Sequence, residues 1–502
     1  MKLSLKPFNR IVQISIFLLV IATVYVRFYK NHQELPRGCD EFGYLHMAEA
    51  IENGKLLESH TYRPFIKDLT NHLNGLGFAK EDYAWVIAPH AYHLDASSNK
   101  IINQYPVGTS ALMSLFPKEL RQYLFPVVIA LLIYLLVLIV SIKEESAVRS
   151  KQFILVSLFI LISVVSVPFL VEYTNVNSVA PTFGLLIAAG ICFFRNWKLS
   201  ALLIAISINF RLANVLLFAP IIIYHLILFW KSRNFSSLLK AGIQTVLILL
   251  VFGVLPYSLY TKLLLNDFVA STYSSIDQVS ANAEMVFVNL KYYFLDENKW
   301  LIVNIISLGV FYLLNRKKGG REMLTLSISF LLIYCYFILH AAKTPYYPYG
   351  LGLIVIGQII ENISRLNWRP SFVFTLLNSL ILIGLVGILS DNYGKYEQSR
   401  KTPISIETDS LKECFDSYDV VWGEMQTGTV EYATGVPTMR FYWGTQLLRD
   451  KIMQWFQDNN YKQVIYLNDL SIDENELRRL SKKFNASLNE TNNSRCGLLM
   501  EL

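Results

Sequence analysis

The chain has 502 residues, of which 53% are hydrophobic and only 17% charged. That balance excludes an ordinary soluble protein, and several apolar runs are long enough to cross about 30 Å of hydrocarbon, so the chain is read as an integral membrane protein. The formal charge of +7 is not a nucleic-acid signature, because the basic residues fall in short loops between apolar runs, where they set orientation.

A basic start (Lys2, Lys6, Arg10) precedes the first span, over 11–28. No small-residue cleavage site follows it, so it reads as an anchor with its N-terminus cytoplasmic. A polar outer loop over about 29–107 comes next and carries a helix-like stretch over 45–53. Further spans are predicted near 124–142, 153–171, 179–194, 199–210, 214–229, 241–260, 300–314, 324–340, 349–363 and 371–389, about eleven in all. A polar tail closes the chain, with strands predicted over 419–422, 438–442 and 464–467 and helices over 443–459 and 473–484. The expected fold is an α-helical polytopic membrane protein with a large first outer loop, residues 1–390, followed by a small α/β extracytoplasmic domain, residues 391–502.

The charge pattern tests the span count. With the N-terminus inside, the inner loops hold Lys143, Arg149, Lys151, Arg195, Lys198, Lys231, Arg233, Arg316, Lys317, Lys318, Arg321, Arg365 and Arg369. The short outer loops hold almost no charge, Glu172 in one and Lys343 in another, which is the asymmetry orientation requires. The stretch between Lys198 and Lys231 is too short for two full spans. Its polar break, Asn209-Phe210-Arg211-Leu212-Ala213-Asn214, favours a short hairpin with Arg211 at the outer tip. A single span there inverts everything downstream.

The five cysteines have no metal-ligand spacing. Cys192 and Cys335 lie inside apolar runs, and Cys414 and Cys496 can pair if the tail faces an oxidising compartment. His60, His72, His90 and His93 are scattered and read as loop residues. The Asn-x-Ser/Thr triplets at Asn485, Asn489 and Asn492 carry little weight in an Asn-rich tail.

Candidate chemistry gathers on the outer face. Asp40-Glu41 opens the first outer loop and Asn103-Gln104-Tyr105-Pro106-Val107-Gly108-Thr109-Ser110 closes it. Glu172 lies in the next outer loop, Arg211 at the hairpin tip, and His340, Lys343 and Tyr346 in a late one. Charges at membrane depth are costly and usually face a cavity or ligand. Carboxylates and cations on one side suit a phosphorylated substrate: cations meet the phosphate, and a carboxylate takes a proton from an attacking hydroxyl. Mg²⁺ or Mn²⁺ between Asp40, Glu172 and a phosphate also fits, since both ions prefer oxygen ligands. Each residue has a plainer reading too. Asp40 can cap the following helix, Glu41 and Glu172 can be solvated acids, Arg211 and Lys343 can snorkel, and Tyr346 can belong to an interfacial belt.

Together, the acid pair after the first span, the Tyr-Pro-x-Gly segment and the acid of the second loop resemble the GT-C glycosyltransferases, among them protein O-mannosyltransferases and the lipid A aminoarabinose transferase. The tail stretch Val420-Val421-Trp422-Gly423, followed by Gly428-x-x-x-Tyr432-x-x-Gly435-x-Pro437 and Arg440, resembles the outer domain of bacterial members. Lys343-Thr344-Pro345 departs from the Arg-Tyr-x-x-Pro segment common in that family. The resemblance implies a polyprenyl-phosphate-linked sugar donor in the outer leaflet and a glycan, lipid or protein acceptor, with membrane lipids around the chain and no nucleic acid. It implies Asp40 as general base with inversion, Glu41 and Glu172 positioning acceptor or metal, Tyr105, His340 and Tyr346 at the substrate, and Arg211 and Lys343 at the departing phosphate. The location implied is a cell inner membrane.

Two other classes compete. A polymerase or ligase of undecaprenyl-linked glycans carries its main loop in the second half of the chain, unlike here. A transporter predicts internal repeats and paired broken helices, and no convincing repeat is present.

Overall fold

The computed structural model describes residues 5–29, 38–54, 63, 65–95, 100–165, 176–265, 283–294, 299–316, 320–340, 348–366, 408–467, 470, 474–484, 487–490 and 498–502. Glu172, Lys343, Tyr346, Cys496 and the predicted span over 371–389 lie outside the described residues.

Among the described residues, four helices are long and apolar enough to cross a membrane: Ser146–Ser163, Leu212–Ser232, Phe235–Leu264 and Gly320–Ile338. Shorter apolar helices occupy Gln13–Tyr25, Leu124–Val140, Ala180–Cys192, Trp197–Ile208 and Leu301–Asn315. The chain is a membrane protein. Ala180–Cys192 is buried along its whole length, packed against Arg121–Val140, Trp197–Ile208 and Tyr349–Arg365. Such all-round apolarity marks a helix at the centre of a bundle.

The helix Phe235–Leu264 contains a π turn over Leu249–Val254. Pro256 has no N–H to offer the carbonyl four residues back, that of Phe252. Asn209 Nδ2 supplies the missing donor at 2.8 Å. A polar residue at the end of Trp197–Ile208 thus repairs a defect that the sequence of Phe235–Leu264 creates.

The long loop after the first helix and the tail are built together. Helix α1 (Leu5–Tyr29) is followed by α2 (Gly38–Glu52), then by the short antiparallel pair β1 (Tyr92–Leu94) and β2 (Ile101–Asn103). The tail forms a five-stranded sheet of order β4-β3-β5-β7-β6. In it β3 (Val420–Gly423) lies parallel to β4 (Thr438–Arg440) and to β5 (Gln463–Tyr466), while β7 (Leu498–Glu501) runs antiparallel to β5 and to β6 (Ser487–Glu490). Val420, Val421 and Trp422 are buried on both faces, as a strand covered by helices on each side requires. Cys414, just before β3, is disulfide-bonded.

One continuous apolar cluster runs from Ile16, Val20 and Val24 of α1 through Phe42, Tyr105 and Val179 to Trp422, Phe441 and Met500. The tail therefore shares its core with the loop after α1. The helix Thr427–Thr434 packs on α2, and a Cβ on Gly428 would sit 2.5 Å from Phe42 Cγ. Phe42 and Tyr432 meet at 6.4 Å between ring centroids, and the Tyr432 hydroxyl donates to Glu49.

Behind this contact Arg63 is fully enclosed. It donates to the carbonyls of Ile87 (2.8 Å) and Thr438 (2.9 Å) and to Glu431 Oε2 (2.5 Å). Burial pushes the Glu431 carboxyl up and the Arg63 guanidinium down even though each holds the other. Arg440 spans the same seam, donating to the carbonyls of Pro89 (2.9 Å) and Tyr92 (2.7 Å).

Three histidines of this region are kept neutral by burial. It pushes His93 from 6.5 down to about 4, His90 to about 3 and His46 to about 4, with the Arg440 charge adding to the first two and Lys118 to the third. The unfolded chain binds protons here that the folded chain refuses, so stability falls as the pH drops below 6.5 toward 4 and is steady above that window. For His93, which is 2% exposed, the loss reaches about 3 kcal/mol by pH 4. Melting temperatures of the purified chain at pH 7 and pH 4.5 check this. His93→Phe, which keeps the stack on Trp85, should shrink the difference, and an unchanged difference would count against it.

Candidate functional site

Helix α2 starts at Gly38, earlier than its apolar pattern suggests, so Asp40 and Glu41 stand in its first turn rather than ahead of it. Carboxylates are favoured there by the unpaired N–H groups and the helix dipole. Asp40 therefore lies inside the helix and is not its N-cap residue.

The two acids point to different partners. Asp40 Oδ1 accepts a hydrogen bond from the Tyr105 hydroxyl at 2.5 Å. Glu41 is 5% exposed, and its Oε1 accepts from the backbone N–H of Val176 at 2.9 Å. The end of the loop is pinned to the same turn: Asn103 Nδ2 donates to the Gly43 carbonyl at 2.7 Å, and Asn103 Oδ1 accepts from Tyr105 N at 2.8 Å. Tyr105 also stacks on Tyr44, with centroids 4.7 Å apart. Glycine at 43 makes this approach feasible, since a Cβ there would lie 2.8 Å from both the Tyr105 ring and Ala91 Cβ.

Segment 176–182 connects the acid turn to the rest of the site. Val176 N–H is held by Glu41, and Thr109 Oγ1 reaches the Asn177 carbonyl at 3.4 Å. Asn177 Oδ1 accepts from Val179 N (2.9 Å) and Ala180 N (3.0 Å), starting the helix Ala180–Cys192. Ser178 Oγ accepts from Arg211 Nη1 at 3.1 Å, and Thr182 Oγ1 meets the Tyr349 hydroxyl at 2.6 Å.

Arg211 sits where the chain turns between Trp197–Ile208 and the helical stretch Leu212–Ser232, in an extended conformation. Its guanidinium carbon lies 5.8 Å from the Tyr349 ring centroid. Tyr349 donates onward to Asn214 Oδ1 at 3.2 Å, and Asn214 Nδ2 reaches Ser207 Oγ at 3.1 Å. The turn is anchored a second time by Gly108 N, which donates to the Asn209 carbonyl at 3.0 Å.

Beside it lies a small crevice lined by Asn214, Leu217, Ile333, Phe337, Pro348 and Leu351 among others. His340 is buried next to it, with ring centroids 5.6 Å from Tyr336 and 6.5 Å from Phe337, and its carbonyl accepts from Asn289 Nδ2 at 2.8 Å. Lys343 and Tyr346 fall between His340 and Pro348 in the sequence.

Of the residues singled out from the sequence, the structure links Asp40, Glu41, Tyr105 and Arg211 through segment 176–182 and sets His340 at the neighbouring crevice. The sequence reading named Asn103 and Asn214 only as members of their segments, without a role, and passed over Asn177, Ser178 and Tyr349. Asn177-Ser178 before an apolar run is a helix-start signal that also marks the link. Among the described residues, no group of three His, Cys, Asp or Glu side chains gathers as a metal site.

No protein-family model and no curated protein sequence matches the chain. Similar solved structures include ArnT from Cupriavidus metallidurans in the apo state, at 10% identity and a TM-score of 0.58, covering 97% of this chain and 97% of that one. The same protein bound to undecaprenyl phosphate gives 11% identity and a TM-score of 0.53, again over 97% of each. The fold is GT-C-like, as the short sequence motifs imply.

Proposed function

We propose that the chain is a membrane glycosyltransferase that moves a sugar from a polyprenyl-phosphate donor to a hydroxyl of a glycan, lipid or protein acceptor on the outer side of the membrane. The observation that carries this reading is the Asp40 carboxylate, fixed in the first turn of α2 and joined through Glu41 and Val176 to Ser178, the partner of Arg211. It puts a proton acceptor and a cation on one short stretch of backbone. Likeness of fold to a protein whose structure contains undecaprenyl phosphate supports the donor class.

In this reading Asp40 takes the proton of the acceptor hydroxyl as its oxygen attacks the anomeric carbon. The bond between that carbon and the phosphate oxygen breaks from the opposite face, inverting the centre. Its electron pair leaves on the lipid phosphate, whose charge Arg211 and Lys343 meet. The Tyr105 hydrogen bond aims the carboxylate. Glu41 acts as a brace for segment 176–182, and the role of Glu172 is to position acceptor or metal. His340 and Tyr346 border the donor. A bound Mg²⁺ or Mn²⁺ would have Asp40 and Glu172 as its carboxylate ligands and would share the phosphate charge.

The proposed topology has about eleven spans, the N-terminus in the cytoplasm and the tail outside a bacterial-type inner membrane. The basic inner loops support it, as does the disulfide at Cys414, since such bonds persist in oxidising compartments.

The test is transfer of radiolabelled sugar from a panel of polyprenyl-phosphate donors into glycan, lipid or protein by membranes containing the chain. Excess undecaprenyl phosphate should slow it, and a chelator arm reports metal dependence. Transfer no greater than in membranes lacking the chain, with every donor, would reject the reading.

A further inference from the structure

The tail presents an aromatic surface that the reaction above does not use. Trp443 is 39% exposed, Tyr442 47% and Met425 49%, although the elements around them are well packed. Trp443 is rigidly backed. The Arg440 guanidinium lies 4.7 Å from its centroid, Trp85 is 5.6 Å away at 31°, and His93 stacks behind Trp85 at 4.4 Å. Arg440 is completely buried, so it supports the indole without offering its charge to solvent.

The rim is polar. Glu424 Oε2 accepts from Tyr442 N at 3.0 Å, Thr427 Oγ1 accepts from His90 N at 3.0 Å, and the His90 ring meets Trp443 edge-on at 6.0 Å. The surface also adjoins the acid turn. His90 precedes Ala91, whose Cβ is the atom a side chain at Gly43 would strike and whose carbonyl accepts from Gln104 N at 3.0 Å. Ala91 holds a φ of 83°, a strained conformation for a residue with a Cβ. That kink sends His90 to the tail and Tyr92 to Phe42, 5.4 Å between centroids.

We propose that Trp443, Tyr442, His90 and Glu424 form a binding platform for a neutral saccharide chain, the non-reacting part of the acceptor. Flat rings with a negative face attract the weakly positive C–H edges of a sugar ring, and rigid Trp and Tyr do so at little entropic cost. The carboxylate and imidazole at the rim suit sugar hydroxyls. The Glu424 carboxylate at the rim disfavours anionic lipid head groups, the other surface that draws exposed Trp and Tyr. The proposal rests on the glycosyltransferase reading for its role, but not for its test.

The test titrates the purified full-length chain in detergent, without donor, with neutral linear tetrasaccharides of glucose, mannose and N-acetylglucosamine, read by saturation-transfer NMR. At least one should bind saturably. Trp443→Ala should weaken it about tenfold, and Trp443→Tyr should retain most of it. Tyr442→Ala, on the open rim, covers the case in which Trp443→Ala fails to fold. Absence of binding by every tetrasaccharide, or wild-type binding by folded Trp443→Ala or Tyr442→Ala, would overturn the platform. So would quenching of Trp443 by brominated lipid in nanodiscs, which marks a membrane contact. Saccharide binding by a chain that transfers from no donor would leave the platform and remove the enzyme reading; transfer without saccharide binding would do the reverse.

Discussion

Asp40→Asn is expected to abolish sugar transfer while the protein accumulates in the membrane at the wild-type level. The asparagine carbonyl can still accept the Tyr105 hydrogen bond that Asp40 Oδ1 receives at 2.5 Å, so the first turn of α2 keeps its attachment. What the amide cannot do is take a proton from a hydroxyl. Loss of a general base typically costs about 10²–10⁴-fold in rate, enough to bring turnover close to background. Tyr105→Phe gives the contrasting result. The carboxylate stays but loses its orienting partner, so a smaller fall of roughly tenfold is expected, about the worth of one hydrogen bond to a charged group. Transfer rates from a labelled donor, normalised to protein amount, separate the two. Equal rates for wild type and Asp40→Asn would remove this carboxylate from the chemistry.

The second large effect is on stability. Arg63→Ala is expected to destabilise the chain by about 3–5 kcal/mol, because it strands the buried Glu431 carboxylate and two carbonyls that Arg63 now serves. The energy lies mainly in the stranded partner rather than in the pair. Burial already works against both charges, raising the carboxyl and lowering the guanidinium. Arg63→Met combined with Glu431→Met should therefore cost clearly less than the two single changes added together. Some loss remains, since Thr438 N and Thr438 Oγ1 each donate to Glu431 Oε2 at 2.9 Å. Melting of the four proteins in one detergent closes the cycle, and strict additivity would contradict the argument.

Much of this arrangement was legible beforehand, for reasons that differ by region. Spans are legible because hydrocarbon demands length and apolarity, and the acid pair because charge beside a span is costly. In the tail, strands read over 419–422, 438–442 and 464–467 lie at Val420–Gly423, Thr438–Arg440 and Gln463–Tyr466. The helix Thr427–Thr434 was not legible. Its Gly-Thr-Val run has poor helix propensity, and it is held by contacts with Phe42 and Glu49 nearly four hundred residues away. Strands Ser487–Glu490 and Leu498–Glu501 were missed as well, the first among polar triplets and the second lacking alternation because it is sandwiched between strands at the chain's end. Within the site, the sequence supplied the charged residues. Of the residues that join them, Asn103 is a common loop residue with no signature of its own, and Asn177-Ser178 signals only a helix start.

Segment 176–182 also fixes a length. Glu41 holds the N–H of residue 176 and Arg211 the hydroxyl of residue 178, so the two anchor points are spaced by two peptide units, about 7 Å of extended chain at most. The interval is counted in covalent bonds, which do not stretch, rather than in side-chain rotamers, which do. A one-residue insertion here lengthens the gauge by roughly 3.5 Å at a stroke, with every charged group still present. Two proteins with identical acids and cations but a different count between these anchors would measure out different substrates.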